Sequence, residues 1–318
     1  MRNFKQGKFQ QGVTLIELMI ALALGVIVLL GVVSGMSALT SSNRTQINNN
    51  NLLETGNTAL SYVAFQLRGA LASPCDRFTE IENLQVNLPT LPAVSGGADT
   101  AIETADELGN LIQGLGISVN TTTVTVNGQN LNTDNITFFG TDNRLFDPSG
   151  AGSLQANEVY AITDCKRMDI DTGTSIEALR ATYTPQIIAP LVASVISVDD
   201  NRLFVRSLFA GNRSRLMENV ELMRVFFGVD TSGDGVVDTF KTASEVKSSE
   251  RIISAEIYVL VRAEQSDFPS VGDYTVFLPN TSGSINGIND DSQVTFTDRI
   301  PRKVFTRSIN FRNNTKVF

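Results

Sequence analysis

The feature that most constrains this chain is an apolar run, Val13 to Val33, set directly behind a short basic leader. Within its 21 residues, VTLIELMIALALGVIVLLGVV, only Thr14 and Glu17 have polar side chains. As a helix this run is roughly 32 Å long, close to the hydrocarbon thickness of a bilayer. Arg2, Lys5 and Lys8 lie in residues 1–12 with no acid, so the leader holds +3 of a net charge of −8 and the rest holds −11. Basic residues ahead of an apolar helix keep that end in the cytoplasm and send the remainder across the membrane. The competing reading is a secretory signal peptide, whose apolar core is about 7–15 residues and ends in a small-x-small site. Here the run is longer, and Ser34-Gly35-Met36-Ser37-Ala38 makes a poor site. Glu17 also opposes it, because a carboxylate inside an apolar helix costs about 2.5–3.5 kcal/mol and intramembrane charges mark function.

Composition removes most catalytic classes. The chain has 318 residues, no histidine, no tryptophan and two cysteines. Without histidine there is no Ser-His-Asp triad, no Cys-His pair and no histidine-ligated metal. Two cysteines cannot hold a Cys₄ zinc site or an iron–sulfur cluster. An acidic chain repels phosphate, which excludes nucleic acid as an expected partner. No GxSxG, P-loop or GxGxxG pattern is present, and no pair of carboxylates is singled out by spacing. The chain reads as a non-enzyme.

Gly12-Val13-Thr14-Leu15-Ile16-Glu17-Leu18 behind a basic leader resembles the type IV prepilin signal. The resemblance implies cleavage between Gly12 and Val13 by prepilin peptidase, followed by N-methylation of Val13. It implies that the apolar helix stays, first in the inner membrane and then in the core of a filament at the cell surface. Glu17 matches the family's glutamate at the fifth mature position, where it pairs with the amine of a neighbouring subunit. That pairing offsets the desolvation of both charges. Phe or Met is more usual where Val13 stands.

Three regions follow: a leader at 1–12, a membrane and assembly helix at 13–72, and a β-rich periplasmic or extracellular domain at 73–318. Past the membrane, Leu53, Leu60, Val63, Ala64, Leu67 and Leu71 recur at helical steps. The polar tract from Ser41 to Asn51 is the exposed middle of one long helix, or else a linker. Pro74 and Cys75 end the helix. Beyond them the period becomes 2, most plainly in Ile253 to Arg262. Strands are predicted at Thr121–Val126, Asn135–Phe139, Glu158–Ile162, Val195–Val198, Leu203–Phe209, Val220–Val229, Val236–Phe240 and Lys303–Phe311. Asp199-Asp200-Asn201-Arg202 reads as a hairpin turn. Loops are predicted at Ser95–Gly97, Pro148–Gly152 and Asn280–Asp291. No second strongly amphipathic helix stands out. The fold class is α+β, a long helix on an antiparallel sheet, which is also pilin-like.

Cys75 and Cys165 face an oxidising compartment, which favours a disulfide over two buried thiols. It would close a loop of about 90 residues, worth up to about 4–5 kcal/mol by chain entropy. Asp230, Ser232, Asp234 and Asp238 place oxygens at first, third, fifth and ninth positions, with Val236 offering its carbonyl at the seventh. Lys241 stands at the twelfth, where a complete calcium loop has Glu. Two readings stay open: a weak Ca²⁺ loop, or an Asp/Gly turn. The basic C-terminal stretch from Asp298 reads as an edge strand with solvent-facing charges, or as a docking surface for an acidic subunit.

Val159 to Cys165, Glu218 to Asp230 and Arg302 to Ile309 resemble segments of the PilW family of minor pilins. That resemblance implies a low-copy subunit at the filament tip. There it primes assembly with other minor pilins, the major pilin and the large tip adhesin. The alternatives are a J-type minor pseudopilin of type II secretion, or a membrane-anchored periplasmic enzyme or sugar-binding module.

Overall fold

The computed structural model describes residues 14–70, 81–92, 102–113, 116–142, 154–183, 187–247, 250–264, 274–279, 283–284, 291–298 and 300–317. The chain divides into two units, residues 1–49 and 50–318. Helix α1, Leu15–Gly69, contributes to both and runs through the polar tract without a break, as one helix rather than two joined by a linker. The second unit adds α2 (Ala105–Gln113) and α3 (Gly173–Leu179). Its strands are β1 (Asn83–Val86), β2 (Gly116–Val126), β3 (Gln129–Thr141), β4 (Val159–Thr163), β5 (Arg167–Thr172), β6 (Ile187–Asp199), β7 (Arg202–Ser207) and β8 (Arg213–Glu218). They continue as β9 (Val220–Asp230), β10 (Thr239–Lys241), β11 (Arg251–Arg262), β12 (Tyr274–Pro279), β13 (Gly283–Ser284), β14 (Asp291–Phe296) and β15 (Arg302–Val317).

One sheet has the order β1-β5-β4-β6-β3-β2-β15-β11-β9-β10-β13, with β7 beside β6 and β8 beside β7. Most pairs are antiparallel, while β1–β5 and β2–β15 are parallel. The β2–β15 seam joins two half-sheets through only two residue pairs, Gly116↔Lys316 and Ile117↔Val317. By contrast β11 and β15 share ten pairs. The β6–β7 turn is the predicted one. Asp199 faces Arg202, and Asp200 and Asn201 take the two positive φ angles that a two-residue type I′ loop needs. Asn127-Gly128 makes the same kind of turn between β2 and β3.

Helices α1 and α2 and the β12–β14 hairpin each cover part of the sheet. The buried face of α1 within the second unit (Leu52, Ala59, Leu60, Val63, Ala64, Leu67) packs on both half-sheets. Its neighbours include Ile136 and Ile196 on one and Val225, Ile257 and Phe305 on the other. Helix α2 sets Leu108, Leu111 and Ile112 against Phe139, Val159 and Met168. The β12–β14 hairpin, a separate two-stranded sheet, sets Val276, Leu278, Val294 and Phe296 against Leu222 and Leu260. The amphipathic α2 corrects the expectation of no second such helix. Its nine residues are too few to stand out by periodicity, although Thr104 and Glu107 mark its start.

Gly56 marks the closest approach of α1 to the sheet. A Cβ there would overlap the Phe305 ring. Gly56→Ala should therefore lower stability by about 1–3 kcal/mol, the usual cost of overpacking. This outweighs the gain of about 1 kcal/mol in helix propensity. Thermal unfolding of the full chain checks the sign, and Phe305→Leu in the same background should recover part of the loss.

The C-terminal stretch is not an edge strand. β15 is paired on both sides, to β11 and to β2. Its first arginine, Arg302, is 1% exposed. Arg307 ties back to α1 through a hydrogen bond from Nη1 to Ser61 Oγ at 2.8 Å. The loop expected at Asn280–Asp291 contains β13, which pairs with β10. Those expected at Ser95–Gly97 and Pro148–Gly152 lie outside the described residues.

Candidate functional site

The first unit presents a surface that must be covered. α1 is long and apolar enough to cross a membrane, and none of its most apolar stretch is buried. Every large apolar side chain from Leu15 to Leu39 is more than half exposed. An apolar surface of that extent is matched by lipid or by partner protein.

The helix opens on a reciprocal cap. The Thr14 N–H and hydroxyl donate to Glu17 Oε2 at 3.0 and 3.1 Å, and the Glu17 N–H donates to Thr14 Oγ1 at 3.3 Å. This is a capping box, which satisfies N–H groups that have no intrahelical partner. The Glu17 carboxylate also lies at the positive end of the helix dipole. Glu17, singled out for a role between subunits, thus has an intrachain partner as well. The sequence signal was Thr-x-x-Glu. The same box recurs at Thr104–Glu107 ahead of α2 and at Thr242–Glu245 ahead of a 3₁₀ turn. Gly12 and Val13 lie outside the described residues.

In the second unit the centre is β9, all of whose residues are buried. Three are charged, and each has its own partners. Glu221 accepts from Arg302 Nε and Nη2 at 2.7 and 2.9 Å. Arg224 Nε donates to Asp134 Oδ2 at 3.1 Å. Asp230 closes the turn to β10, accepting from the N–H groups of Gly233 and Gly235.

That turn is the candidate calcium loop, and its oxygens are occupied by its own donors. Asp238 Oδ2 accepts from the N–H and hydroxyl of Thr231 at 2.7 Å each and from the Ser232 N–H at 2.9 Å. Asp234 Oδ1 accepts from the Val236 N–H at 2.8 Å. Desolvation pushes the Asp230 carboxyl up, but the N–H groups of Gly235 and Gly233 carry it below its ordinary value. The Thr231 hydroxyl and the Ser232 and Thr231 N–H groups hold Asp238 down as well. Gly233 and Gly235 sit at φ +82° and +84°, where only glycine is unstrained. Among the described residues no group of three or more acidic, cysteine or histidine side chains gathers to hold a metal ion. Asp230, Asp234 and Asp238 are therefore not brought together around a common centre. In the structure the segment closes as an Asp/Gly turn.

Cys165 is disulfide-bonded and sits at the tip of the β4–β5 hairpin with φ +70°. Asp164 pins that tip. Its Oδ1 accepts from the N–H groups of Lys166 and Arg167 at 3.0 and 2.8 Å. The Arg167 and Lys166 N–H donors hold its carboxyl down to about 2. Cys75 lies outside the described residues.

Two family descriptions match the chain. The prokaryotic N-terminal methylation motif covers residues 7–33, which include the Thr14–Glu17 box and the exposed apolar stretch. The type IV pilus-assembly protein W description covers residues 201–313. That second span holds β7 through most of β15, and with them β9, its Arg302 partner and the Asp/Gly turn. No curated protein and no solved structure matches the chain. The sequence resemblance and both matches agree: the chain carries the N-terminal methylation motif over residues 7–33 and is similar to the type IV pilus-assembly protein W family over residues 201–313.

Proposed function

We propose that the protein is a minor pilin that primes pilus assembly at the filament tip. The observation that carries this reading is the exposed apolar N-terminal stretch of α1, with one carboxylate three residues from its capped start. Before assembly, lipid covers that helix and holds the subunit in the inner membrane, its N-terminus cytoplasmic. Prepilin peptidase removes residues 1–12, and the new Val13 amine is methylated. In the filament, helices of the major pilin and other minor pilins replace the lipid, and Glu17 meets the Val13 amine of a neighbour. The large tip adhesin caps the same complex. Cys75, the one other cysteine in the sequence, is the partner for Cys165. The role is structural, with no reaction assigned to it.

Deleting the gene should abolish surface pili and twitching, and the wild-type gene should restore both. A Glu17→Gln copy should insert and lose its leader yet fail to restore pili, because the neighbouring amine then has no counter-charge. Normal piliation in the deletion strain with loss of protein secretion would move the reading to the type II pseudopilin. Normal piliation with Glu17→Gln would remove the charge pairing.

A further inference from the structure

The β2–β3 hairpin leaves one of its edges bare. β2 pairs with β3 from Ser118 to Val126 in unbroken register, nine pairs in succession. On its other side β15 pairs with Gly116 and Ile117 and goes no further. Among the described residues no strand lies beside Ser118–Val126 on that side. An open edge is a template for another strand, and proteins blunt it with shortness, charge, proline or a bulge. The other open edges of this sheet among the described residues follow that rule. β1 has four residues and β13 has two. β8 has six, of which Arg213, Arg215 and Glu218 are charged. The β2 stretch, SVNTTTVTV, holds no charged residue, no proline and no bulge. Seven of its nine residues are Val or Thr, whose branched side chains favour extended chain.

The edge is also patterned to match itself. Thr121, Thr123 and Thr125 are exposed on one face. On the other face Val124 and Val126 pack inward with Leu222 and Leu260. In antiparallel pairing, residues directly opposite share a face, so a two-fold axis that keeps both faces passes through a residue. An axis at Thr123 sets Thr123 against Thr123 of a second copy, and Thr121 against its Thr125. All three exposed threonines then face threonine, a favourable pair across strands. On the inner face Thr122 meets Val124 of the second copy, both β-branched. β2 itself brings no charge to such a seam.

We propose that the open edge of β2 is an interface for a second copy of this chain. Two copies join antiparallel through β2 about an axis at Thr123, and their sheets run on across the pair. The contact is isologous, the same patch serving both copies. The inference goes beyond the pilus reading, which requires no second copy. Loss of the pair and loss of piliation are separate measurements.

The experiment uses the full-length chain in detergent micelles, with sedimentation equilibrium to read the number of copies. The wild type should sediment as two chains. Thr123→Lys and Thr123→Glu change an exposed side chain and each set like charges opposite one another in the seam. An equal mixture of the two sets lysine opposite glutamate. Each variant alone should dissociate about two- to thirty-fold more readily than the mixture, the range that like against opposite charge across a strand pair carries. A third variant, Thr123→Cys, reads the register. Its Cβ atoms would lie about 4.5–5.5 Å apart across the axis, near enough to bridge under mild oxidation. Thr125→Cys should not bridge, because the two copies of that residue would be about 14 Å apart along the strands. A wild-type chain that sediments as one copy overturns the proposal. So do charge variants that associate equally alone and mixed, since α1 would then be what joins the chains. Thr125→Cys bridging as readily as Thr123→Cys overturns the pairing about Thr123.

Discussion

Arg302→Leu should destabilise the fold by about 3–5 kcal/mol, the cost of leaving a buried charge without its partner. The guanidinium uses all five of its donors. Nε and Nη2 reach Glu221 at 2.7 and 2.9 Å, Nη1 and Nη2 reach Asp298 at 2.6 and 2.7 Å, and Nη1 reaches the Ile300 carbonyl at 3.1 Å. It also lies 4.0 Å from the centre of the Phe296 ring, at the base of the β12–β14 hairpin. Arg302 and Glu221 side chains are each 1% exposed. Burial already pushes the Glu221 carboxyl up, against the pull of Arg302. Removing Arg302 raises it further. A carboxyl whose folded value is raised favours the folded state below its unfolded value and loses that contribution as pH rises through the folded one. The penalty of the variant should therefore be largest at neutral pH and smaller at pH 5. Urea unfolding of the detergent-solubilised chain at both values measures it, followed by circular dichroism because the chain has no tryptophan. Adding Glu221→Leu should recover most of the loss, since a buried pair replaced by apolar groups is often neutral. A cost below about 1 kcal/mol for Arg302→Leu would show that the network is worth no more than a surface pair.

Asp134→Ala should cost a similar amount, about 3–5 kcal/mol, for a different structural reason. β3 and β9 share no backbone ladder, yet they lie side by side. Side chains of β3 stand in for the missing strand. Asp134 Oδ2 accepts from the Val225 N–H at 2.8 Å as well as from Arg224 Nε, and Oδ1 accepts from the Thr121 hydroxyl at 2.7 Å. Next to it, Thr133 Oγ1 accepts from the Met223 N–H at 3.0 Å and donates to the Met223 carbonyl at 3.2 Å. Truncation at 134 orphans one backbone N–H and one buried guanidinium. Asp134→Asn keeps an acceptor oxygen and should recover part of the loss. Chemical unfolding of both variants tests the order, and equal stability of Asp134→Ala and wild type would remove the bridging role.

The elements most legible in the sequence were those with local signals. β11 alternates over its length, the β6–β7 turn carries Asp-Asn where positive φ is needed, and the apolar helix is read from composition alone. The prepilin motif is likewise contiguous. What stayed hidden depends on partners far away in the chain. Glu221 and Arg302 are 81 residues apart, and Asp134 and Arg224 are 90 apart. A charged side chain in a strand reads as solvent-facing by default, which is why Arg302 was expected on an open edge. β9 is buried along its whole length, so its charges obey pairing rather than alternation. The Asp/Gly turn shows a related limit. Spacing places oxygens at regular intervals, but the backbone N–H groups that bond to them are visible only in the fold.

The two-pair seam between β2 and β15 has a mechanical meaning. Under tension two residue pairs offer little resistance beside ten, and this short ladder is the one that lies between the half-sheets. Pulled apart, the half-sheets would be kept together by what spans them elsewhere: the Thr133 and Asp134 staples to β9, and the apolar face of α1 that packs on both. The buried face of α1 in the second unit is thereby also the splint of the sheet, bridging a joint that the backbone ladder barely holds.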